Sequence, residues 1–210
     1  MLTVLVASSK GGCGKSTVVT QLASHWAQQG KHTAIIDADR QGSSFRWASL
    51  RPDNVPGVLG LQGGRKGLAA LPPDTQRVLV DTPAGVSERE LEPYLESAHV
   101  LLVPVLPSSF DLHATLGFLE HLQGIARIKR GKLPVALVGN RLKPWTRASQ
   151  EAMEQLAEQS PFPLVAQLRD SQAYVLLSAL GKGIFDYQSE QVRSHQQDWK
   201  ALLRWIKKHQ

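Results

Sequence analysis

The sequence predicts an α/β protein in which a mostly parallel, twisted sheet is covered by helices on both faces. Three observations favour this fold class. Short runs rich in β-branched residues and leucine recur along the 210-residue chain. The runs are apolar throughout, as strands covered on both faces must be. Stretches with helical spacing lie between them, and this alternation is typical of parallel sheets built from strand–helix–strand units.

The elements follow one another in a regular order. Residues 52–73 are rich in glycine and proline, so they are expected to form an irregular crossover with one short strand near Val58–Leu61. The predicted strands are Leu2–Ala7, Thr33–Ile36, Arg77–Val80, Val100–Val105, Val135–Val138 and Leu164–Ala166. The predicted helices are Lys15–Gln29, Ser87–Leu95, Ser109–Gln123, Thr146–Gln159 and Ser171–Leu180.

The size and composition of the chain narrow its class. With 210 residues, of which 42% are hydrophobic, it can bury one substantial core, so residues 1–210 are expected to form a single domain. The longest apolar run, 98–106, is interrupted by His99 and Pro104 and is too short to span a bilayer, which favours a cytoplasmic protein. A lone cysteine, Cys13, excludes an internal disulfide and a cysteine-based metal site within one chain.

The positive charge is concentrated in two segments of the chain. The formal net charge is +6. Residues 127–147 carry seven basic side chains and no acidic one, and residues 193–210 carry five basic side chains against one acidic. Such segregation favours an anionic partner, either nucleic acid or a membrane surface.

A glycine-rich segment, Ser8–Thr17, follows the first strand and leads into the first helix, and we call it the phosphate loop. Glycines in such a loop let backbone N–H groups turn toward an anion, and the helix N-terminus adds its positive end. Lys15 would reach the β- and γ-phosphates, and the Ser16 hydroxyl would bind Mg²⁺. The alternative is an ordinary structural turn. The predicted nucleotide-binding residues of this loop are Lys10, Gly11, Gly12, Cys13, Gly14, Lys15, Ser16 and Thr17.

The phosphate loop departs from the common G-x-x-x-x-G-K-[ST] pattern because Ser9 replaces the first glycine and a lysine, Lys10, follows it. In this respect it resembles the ParA/MinD family of deviant Walker-A ATPases, and most of all its small ParA-type partition proteins. The resemblance implies a single-domain P-loop NTPase fold, ATP and Mg²⁺ as ligands, and a homodimer in the ATP state. It also implies that Lys10 reaches the phosphates of the partner subunit. Cys13 stands where the family most often has valine, and no catalytic role is expected for it.

Two acidic elements extend the resemblance. Segment Asp37–Ser43 resembles the family's D-x-D-P-Q-G-S sequence, although Arg40 replaces the proline, which would have fixed the φ angle of the loop. The family match implies that Asp39 orients the attacking water, so that Lys10, Lys15 and Asp39 form the catalytic set. It also implies that Asp37 supports the metal shell, whereas the alternative is that Asp37 only caps the strand.

The third predicted core strand closes on Asp81, as a Walker-B strand does. Asp81 is expected to bind Mg²⁺ through water, and residues 82–85 are expected to sense the γ-phosphate. Later in the chain, Asn140 is carried over from the family as a contact of the adenine ring, with Arg141 beside it; the alternative is a simple turn. Residues 167–170 lie where relatives close the base pocket, and residues 181–187 resemble the end of small ParA proteins.

Three functions fit this site. By resemblance to ParA proteins, the ATP dimer binds DNA without sequence preference, is nucleoid-associated, and partitions plasmid or chromosomal DNA with a ParB-like or small centromere-binding partner. The same dimer could instead position a protein cargo on the nucleoid. Binding to DNA phosphates would weaken steeply with salt. The candidate DNA contacts are Arg169, Lys182, Arg193, Lys200 and Arg204, with Lys207 and Lys208 beside them.

The C-terminal segment 199–209 supports a second function. Trp199, Leu202, Leu203 and Ile206 follow helical spacing, with basic residues on another face. Such a helix can lie on an anionic membrane, as in MinD-type relatives, or simply pack on the sheet. A third function, a metabolite-modifying enzyme or metallocluster carrier, has less support because the sequence has a single cysteine and its 210 residues leave little room for an added substrate-binding segment.

Overall fold

The computed structural model describes the backbone of residues 1–210 and all side chains except those of Arg65, Glu88, Ser109, Phe110, Asp111 and Gln191. Its strands form one sheet in which every pairing is parallel. The strands are β1 (Leu2–Ser8), β2 (Thr33–Asp37), β3 (Leu59–Gln62), β4 (Arg77–Ala84), β5 (Val100–Val105), β6 (Val135–Leu142) and β7 (Leu164–Arg169). Their order across the sheet is β3-β2-β4-β1-β5-β6-β7, which confirms the predicted parallel α/β fold.

Helices connect consecutive strands and cover the sheet. The predicted helices are all present, with ends that differ by one residue from the prediction. The helices are α1 (Lys15–Gln28), α2 (Ser43–Ser49), α3 (Arg65–Ala69), α4 (Glu88–Leu95), α5 (Ser109–Gly124), α6 (Ala126–Lys129), α7 (Arg147–Gln159), α8 (Gln172–Ala179), α9 (Glu190–Asp198) and α10 (Lys200–Lys208), and a 3₁₀ turn spans Ile184–Asp186.

Parts of this architecture were not predicted. Residues 52–73 are less irregular than expected, because they hold helix α3 as well as strand β3. Helix α2 follows directly on the acidic turn after β2, and helix α9 has a polar sequence with little apolar periodicity. Helix α2 has only seven residues and α9 is mostly polar, so neither shows the repeating apolar pattern that identifies a helix in a sequence.

The two faces of the sheet bury two separate apolar cores. Alternate residues of a strand point to opposite faces, so Val4 and Val6 enter one core while Leu5 and Ala7 enter the other. The first core is covered by α1, α2, α8 and α10, and the second by α4, α5 and α7. Burial on both faces explains why the strand sequences are apolar throughout.

The parallel topology gathers the carboxyl ends of the strands at one edge. The chain moves from β1 toward β2 on one side, and after β4 it crosses to β5 on the other side. A crevice opens at such a reversal, and ligands of open α/β sheets bind there. The end of β1 therefore places the phosphate loop in this crevice, beside the ends of β2 and β4.

The C-terminal helix α10 packs on the sheet. Trp199, Leu202 and Ile206 are buried in the first core, and the Trp199 Nε1 donates a hydrogen bond to the Tyr174 hydroxyl at 3.0 Å. The packing alternative is the one that the structure shows, since the apolar stripe of α10 is used by the core. Within the described chain, no helix combines the length and hydropathy needed to cross a bilayer.

Candidate functional site

The phosphate loop has a shape that only its glycines permit. Gly12 and Gly14 have φ angles of 75° and 95°, in the left-handed region that favours glycine. A Cβ on Gly14 would lie 1.9 Å from the Asn140 Nδ2, which itself donates a hydrogen bond to the Cys13 carbonyl at 2.8 Å. Asn140 thus supports the loop from the end of β6. The loop ends at the N-terminus of the 14-residue helix α1, where unpaired N–H groups attract anions.

Lys15 lies inside the loop with its ammonium on neutral oxygens. The residue is 7% exposed, and its Nζ donates to the Ser8 Oγ at 3.2 Å and to the Lys10 carbonyl at 3.3 Å. Burying a cation against neutral partners costs free energy, and binding of an anion beside it would offset that cost. The buried Cys13 packs against the same serine, with its Sγ 3.0 Å from the Ser8 Oγ.

Asp37 holds the turn that follows β2. Its Oδ1 accepts a hydrogen bond from the Asp39 N–H at 3.0 Å, and its Oδ2 accepts one from the Phe45 N–H in the first turn of α2 at 2.9 Å. Asp37 therefore stabilises the turn and the start of α2, and its remaining lone pairs can still hold a metal-bound water. The half-buried Asp39 sits in the turn, where its Oδ1 accepts from the Gln41 N–H at 2.9 Å.

Asp81 lies beside Asp37, because the two residues are paired in register on β4 and β2. Asp81 is 1% exposed, and within the described part of the chain neither of its carboxylate oxygens has a hydrogen-bond partner; the same is true of the buried Ser44 Oγ. Burial raises the pKa of Asp81 to about 7, and Asp37 acts in the same direction, while the Ser16 and Ser44 side chains and Lys15 act against it.

These unpaired oxygens fit a magnesium ion. Mg²⁺ prefers oxygen ligands and keeps several waters, so a buried carboxylate and nearby hydroxyls can bind it directly or through water. The cation would also relieve the cost of burying Asp81 beside another carboxylate. Ser16 and Asp81 are thus the residues that could hold Mg²⁺. Asp37 and Asp39 could contact the ion through its bound waters.

The end of β4 is tied to the phosphate loop. The Thr82 Oγ1 donates to the Val6 carbonyl at 2.9 Å, and the Gly85 N–H donates to the Ser8 carbonyl at 3.2 Å. These hydrogen bonds couple the position of residues 82–85 to the start of the phosphate loop.

A cleft of about 410 Å³, here called the base cleft, opens beside the N-terminus of α1. Arg141 lines it in a left-handed conformation, with φ of 53°, which is uncommon for a residue other than glycine. Asn140 and Arg141 both line the cleft, and of the segment 167–170 only Asp170 lines it. The cleft is lined by Thr17, Asn140, Arg141, Asp170, Ser171, Gln172, Tyr174, Val175 and Ser178.

The candidate DNA contacts are not brought together as one surface. The Arg169 guanidinium is bound by the Asp198 carboxylate at 2.7 and 2.8 Å, and this pairing raises its pKa. Its charge is thereby neutralised. The Lys182 Nζ lies 5.3 Å from the centroid of the Tyr187 ring. Arg193 is exposed on α9, and Lys200 and Arg204 are exposed on α10.

Some residues of the site escaped prediction from sequence. Ser8 contacts Lys15, and Ser44 faces the buried carboxylate of Asp81, yet neither belongs to a recognised functional position of the motifs. Ser44 reaches Asp81 only because α2 begins directly after the acidic turn. A further set, Tyr174, Val175 and Ser178 of α8, comes to the base cleft through the tertiary fold.

Comparisons with known proteins agree with this geometry. Residues 4–184 match the family described as "CobQ/CobB/MinD/ParA nucleotide binding domain". The maintenance of carboxysome distribution protein A of Halothiobacillus neapolitanus is 33% identical over 169 residues, covering 73% of this chain and 74% of that protein. Protein ParA of Rhizobium radiobacter is 28% identical over 200 residues, covering 91% and 88%.

A solved structure confirms the fold. The structure of a plasmid partition protein from Borrelia burgdorferi bound to AMPPNP superposes with a TM-score of 0.73 at 16% identity, covering 97% of this chain and 99% of that one. The seven-stranded parallel sheet, the phosphate loop and the family match together show that this chain is a member of the CobQ/CobB/MinD/ParA nucleotide-binding family, of the ParA/MinD type.

Proposed function

We propose that this protein is a Mg²⁺-dependent ATPase whose ATP-bound dimer binds DNA without sequence preference and moves or partitions a cargo. Two observations together support the proposal most strongly. The Lys15 ammonium is buried inside the loop, and the buried Asp81 carboxylate nearby has no hydrogen-bond partner among the described residues. An anion of several negative charges together with a divalent cation satisfies both groups at once.

Different residues of the site bind the phosphates, hold the metal ion and orient the attacking water. Loop N–H groups and Lys15 bind the phosphates, while Ser16 and Asp81 hold Mg²⁺, which neutralises charge on the phosphates when bound. Asp39, in the turn after β2, orients the attacking water. Lys10 contacts the phosphates of the partner subunit. Phosphoryl transfer depends mainly on position and charge, so turnover is expected to be slow until a partner protein fixes the turn containing Asp39.

Replacing Asp39 by alanine is expected to separate dimerisation from hydrolysis. The Asp39→Ala variant keeps the phosphate loop and Asp81, so it should bind Mg·ATP and dimerise. Without an oriented water it should lose hydrolysis by about 100-fold or more. Phosphate release and light scattering on a sizing column measure the two properties. A variant that stayed monomeric in Mg·ATP would contradict the role given to Asp39.

The matched comparison is Lys10→Ala, which changes the same face of the protein. It should bind ATP in its own loop and stay monomeric, because the contact that it removes is made across the interface. Intact dimers of this variant would remove the proposed trans role of Lys10.

The DNA surface is best supported at helix α10. A cleft of about 620 Å³ runs between α10, the end of α1 and the starts of β1 and β4; we call it the α10 cleft. Its described lining includes Arg77, Lys200, Arg204 and Lys207 and no acidic side chain. Most of the apolar stripe of α10 is buried in the core, with Leu203 and Trp205 partly buried, so basic residues dominate the exposed surface of the helix. Such a surface suits phosphates better than a membrane.

Reversing the charges of Lys200, Arg204 and Lys207 to glutamate is expected to weaken ATP-dependent DNA binding on the order of 100-fold. It should also lower the slope of log affinity against log salt by roughly three for each subunit. Retention on random-sequence duplex DNA at two or more salt concentrations measures both effects, and anionic liposomes provide a parallel arm.

The comparison variant carries the same charge change in the other basic segment, at Lys129, Arg130 and Lys132, which are exposed on and after α6. Equal losses in both variants would show that net charge alone governs binding. Retention on liposomes but not on DNA would instead favour a MinD-like membrane function and contradict the proposal.

A second cargo is supported by a specific observation. The 33% identical relative is named for the distribution of carboxysomes, whereas other relatives are named for partition. Positioning of a protein assembly on the nucleoid is therefore the alternative to partition of plasmid or chromosomal DNA with a ParB-like or small centromere-binding partner. Both use the same ATP cycle on DNA, and reconstitution with the partner encoded beside this protein distinguishes them.

A further inference from the structure

Four large apolar side chains are exposed on one surface next to the nucleotide site. They lie on α8, directly after it, and at the end of α2. Large contiguous apolar patches are rare on monomeric soluble proteins and are typical of interaction surfaces, so this cluster is a candidate for one. These residues, here called the α8 patch, are Leu50 (52% exposed), Val175 (58%), Leu176 (66%) and Leu180 (57%).

The α8 patch is a contiguous surface. Val175 and Leu50 line one groove between α1, α2 and α8. Leu176 and Leu180 are four residues apart along the helix, and residues at that spacing share one face. Gly181, which follows Leu180, lies so close to Leu50 that a Cβ on it would be 2.4 Å from the Leu50 backbone. Leu180 is therefore held beside Leu50.

The patch adjoins the nucleotide site. Thr17, Tyr174, Val175 and Ser178 line both the base cleft and the groove beneath the patch. A molecule that covers the base cleft from outside therefore meets Val175 as well. The end of α2 also belongs to the groove, and α2 begins at the turn that contains Asp39.

Helix α8 is fixed in place, so the patch is a permanent feature of the surface. Ser171 caps the helix, with its Oγ accepting from the Ala173 N–H at 3.2 Å. Tyr174, on the buried side, accepts a hydrogen bond from the Trp199 Nε1 in the core. The buried side of α8 thus binds the body of the protein, while the opposite side presents Val175, Leu176 and Leu180 to solvent.

We infer that the α8 patch binds a second copy of this chain and forms the apolar part of the ATP-state dimer interface. The inference rests on the proposed function, in which Lys10 of one subunit reaches the nucleotide of the other. Two subunits that meet over their nucleotides bring the rims of both base clefts together, and α8 forms part of that rim. The patch itself has no charged member, so two copies of it can meet without repulsion.

The patch and the phosphate contacts then have separate roles. Burial of the patch contributes affinity in any nucleotide state, whereas the contact of Lys10 requires the triphosphate. Apolar contacts at the centre of an interface carry much of its affinity. Loss of the patch should therefore weaken the dimer without changing how one subunit binds ATP.

The test is the double variant Leu176→Glu, Leu180→Glu, studied by sedimentation with Mg²⁺ and a non-hydrolysable ATP analogue. The dimer dissociation constant should rise about 100-fold or more, because two charges enter an apolar contact on each subunit. The affinity of the monomer for the analogue, measured by calorimetry, should change less than about twofold. A milder pair, Leu176→Ala and Leu180→Ala, should shift dimerisation in the same direction while keeping the fold.

The control is Leu59→Glu, since Leu59 is an exposed leucine on the edge strand β3, away from the patch. It should dimerise as the wild type does. An unchanged dissociation constant for both patch variants would overturn the inference and leave the proposed function intact. A wild-type protein that stayed monomeric with the bound analogue would overturn the proposed dimer and, with it, this inference.

Discussion

Replacement of Lys15 by alanine is expected to abolish nucleotide binding. The lysine ammonium lies inside the phosphate loop on the Ser8 hydroxyl and the Lys10 carbonyl, where it can transfer to the β- and γ-phosphates. Charge-assisted hydrogen bonds to phosphate contribute about 1.5–3 kcal/mol each. Loss of such bonds should weaken binding of Mg·ATP by at least about 100-fold in titration calorimetry.

The stability of the nucleotide-free variant provides the control. Lys15 lies buried on two neutral oxygens, and its charge also acts to lower the pKa of Asp81. Its removal therefore deletes a poorly solvated cation but also a nearby opposite charge, and since these effects oppose each other the free energy of unfolding should change little. If the variant loses Mg·ATP binding while its urea denaturation curve is unchanged, the loss is therefore due to the binding site and not to unfolding. A Lys15→Ala protein that bound ATP as tightly as wild type would contradict the placement of the phosphates.

Replacement of Asp186 by alanine is expected to cause the largest loss of stability. Asp186 forms an ion pair with Arg51 at 3.0 Å, and the two side chains are 0% and 2% exposed. The Asp186 carboxylate also accepts a hydrogen bond from the Gly183 N–H at 2.7 Å, and Arg51 donates to the Gly181 carbonyl at 3.1 Å. The pair thereby joins the end of α2 to the segment 181–186.

Without Asp186 the buried guanidinium of Arg51 loses its counter-charge. Breaking a buried pair from one side costs about 3–5 kcal/mol in the free energy of unfolding. Urea denaturation measures this loss. The matched control is Glu151→Ala, which breaks the exposed pair between Arg147 and Glu151 at 2.6 Å and should change stability by less than about 0.5 kcal/mol. Equal effects of the two substitutions would contradict the structural role of the Arg51–Asp186 pair.

The segment 181–187 has structural roles that its resemblance to other proteins did not predict. Its likeness to the end of small ParA proteins gave no role for individual residues. In the structure, Gly181 packs on the Leu50 backbone, Asp186 binds Arg51, and the Lys182 carbonyl accepts from the Trp47 Nε1. These contacts join residues more than a hundred positions apart, so no local pattern could reveal them.

The elements of the fold that could be predicted are those that depend on a pattern of neighbouring residues in the sequence. Continuous apolar runs identified the strands because parallel strands are buried on both faces. Helix α9 was missed because Val192 is the single apolar residue in its sequence, and α2 was missed because it is short and follows a motif that we interpreted only for its chemistry.

The candidate site divides in the same way. The glycines and Lys15 of the phosphate loop are specified by a contiguous motif, and Asp81 closes an apolar strand. Ser44 and the α8 patch depend instead on how α2 and α8 lie on α1, which only the three-dimensional structure shows. Arg169 looked like a free cation in sequence, yet the fold places Asp198 against it.

A crystal structure of the protein soaked with Mg²⁺ and a non-hydrolysable ATP analogue tests the central claim most directly. The account predicts triphosphate density within hydrogen-bond distance of the Lys15 Nζ and the N–H groups of residues 11–16, with a cation beside Ser16 and Asp81. Phosphates bound at another place on the protein, or a loop left without ligand at saturating analogue, would contradict it.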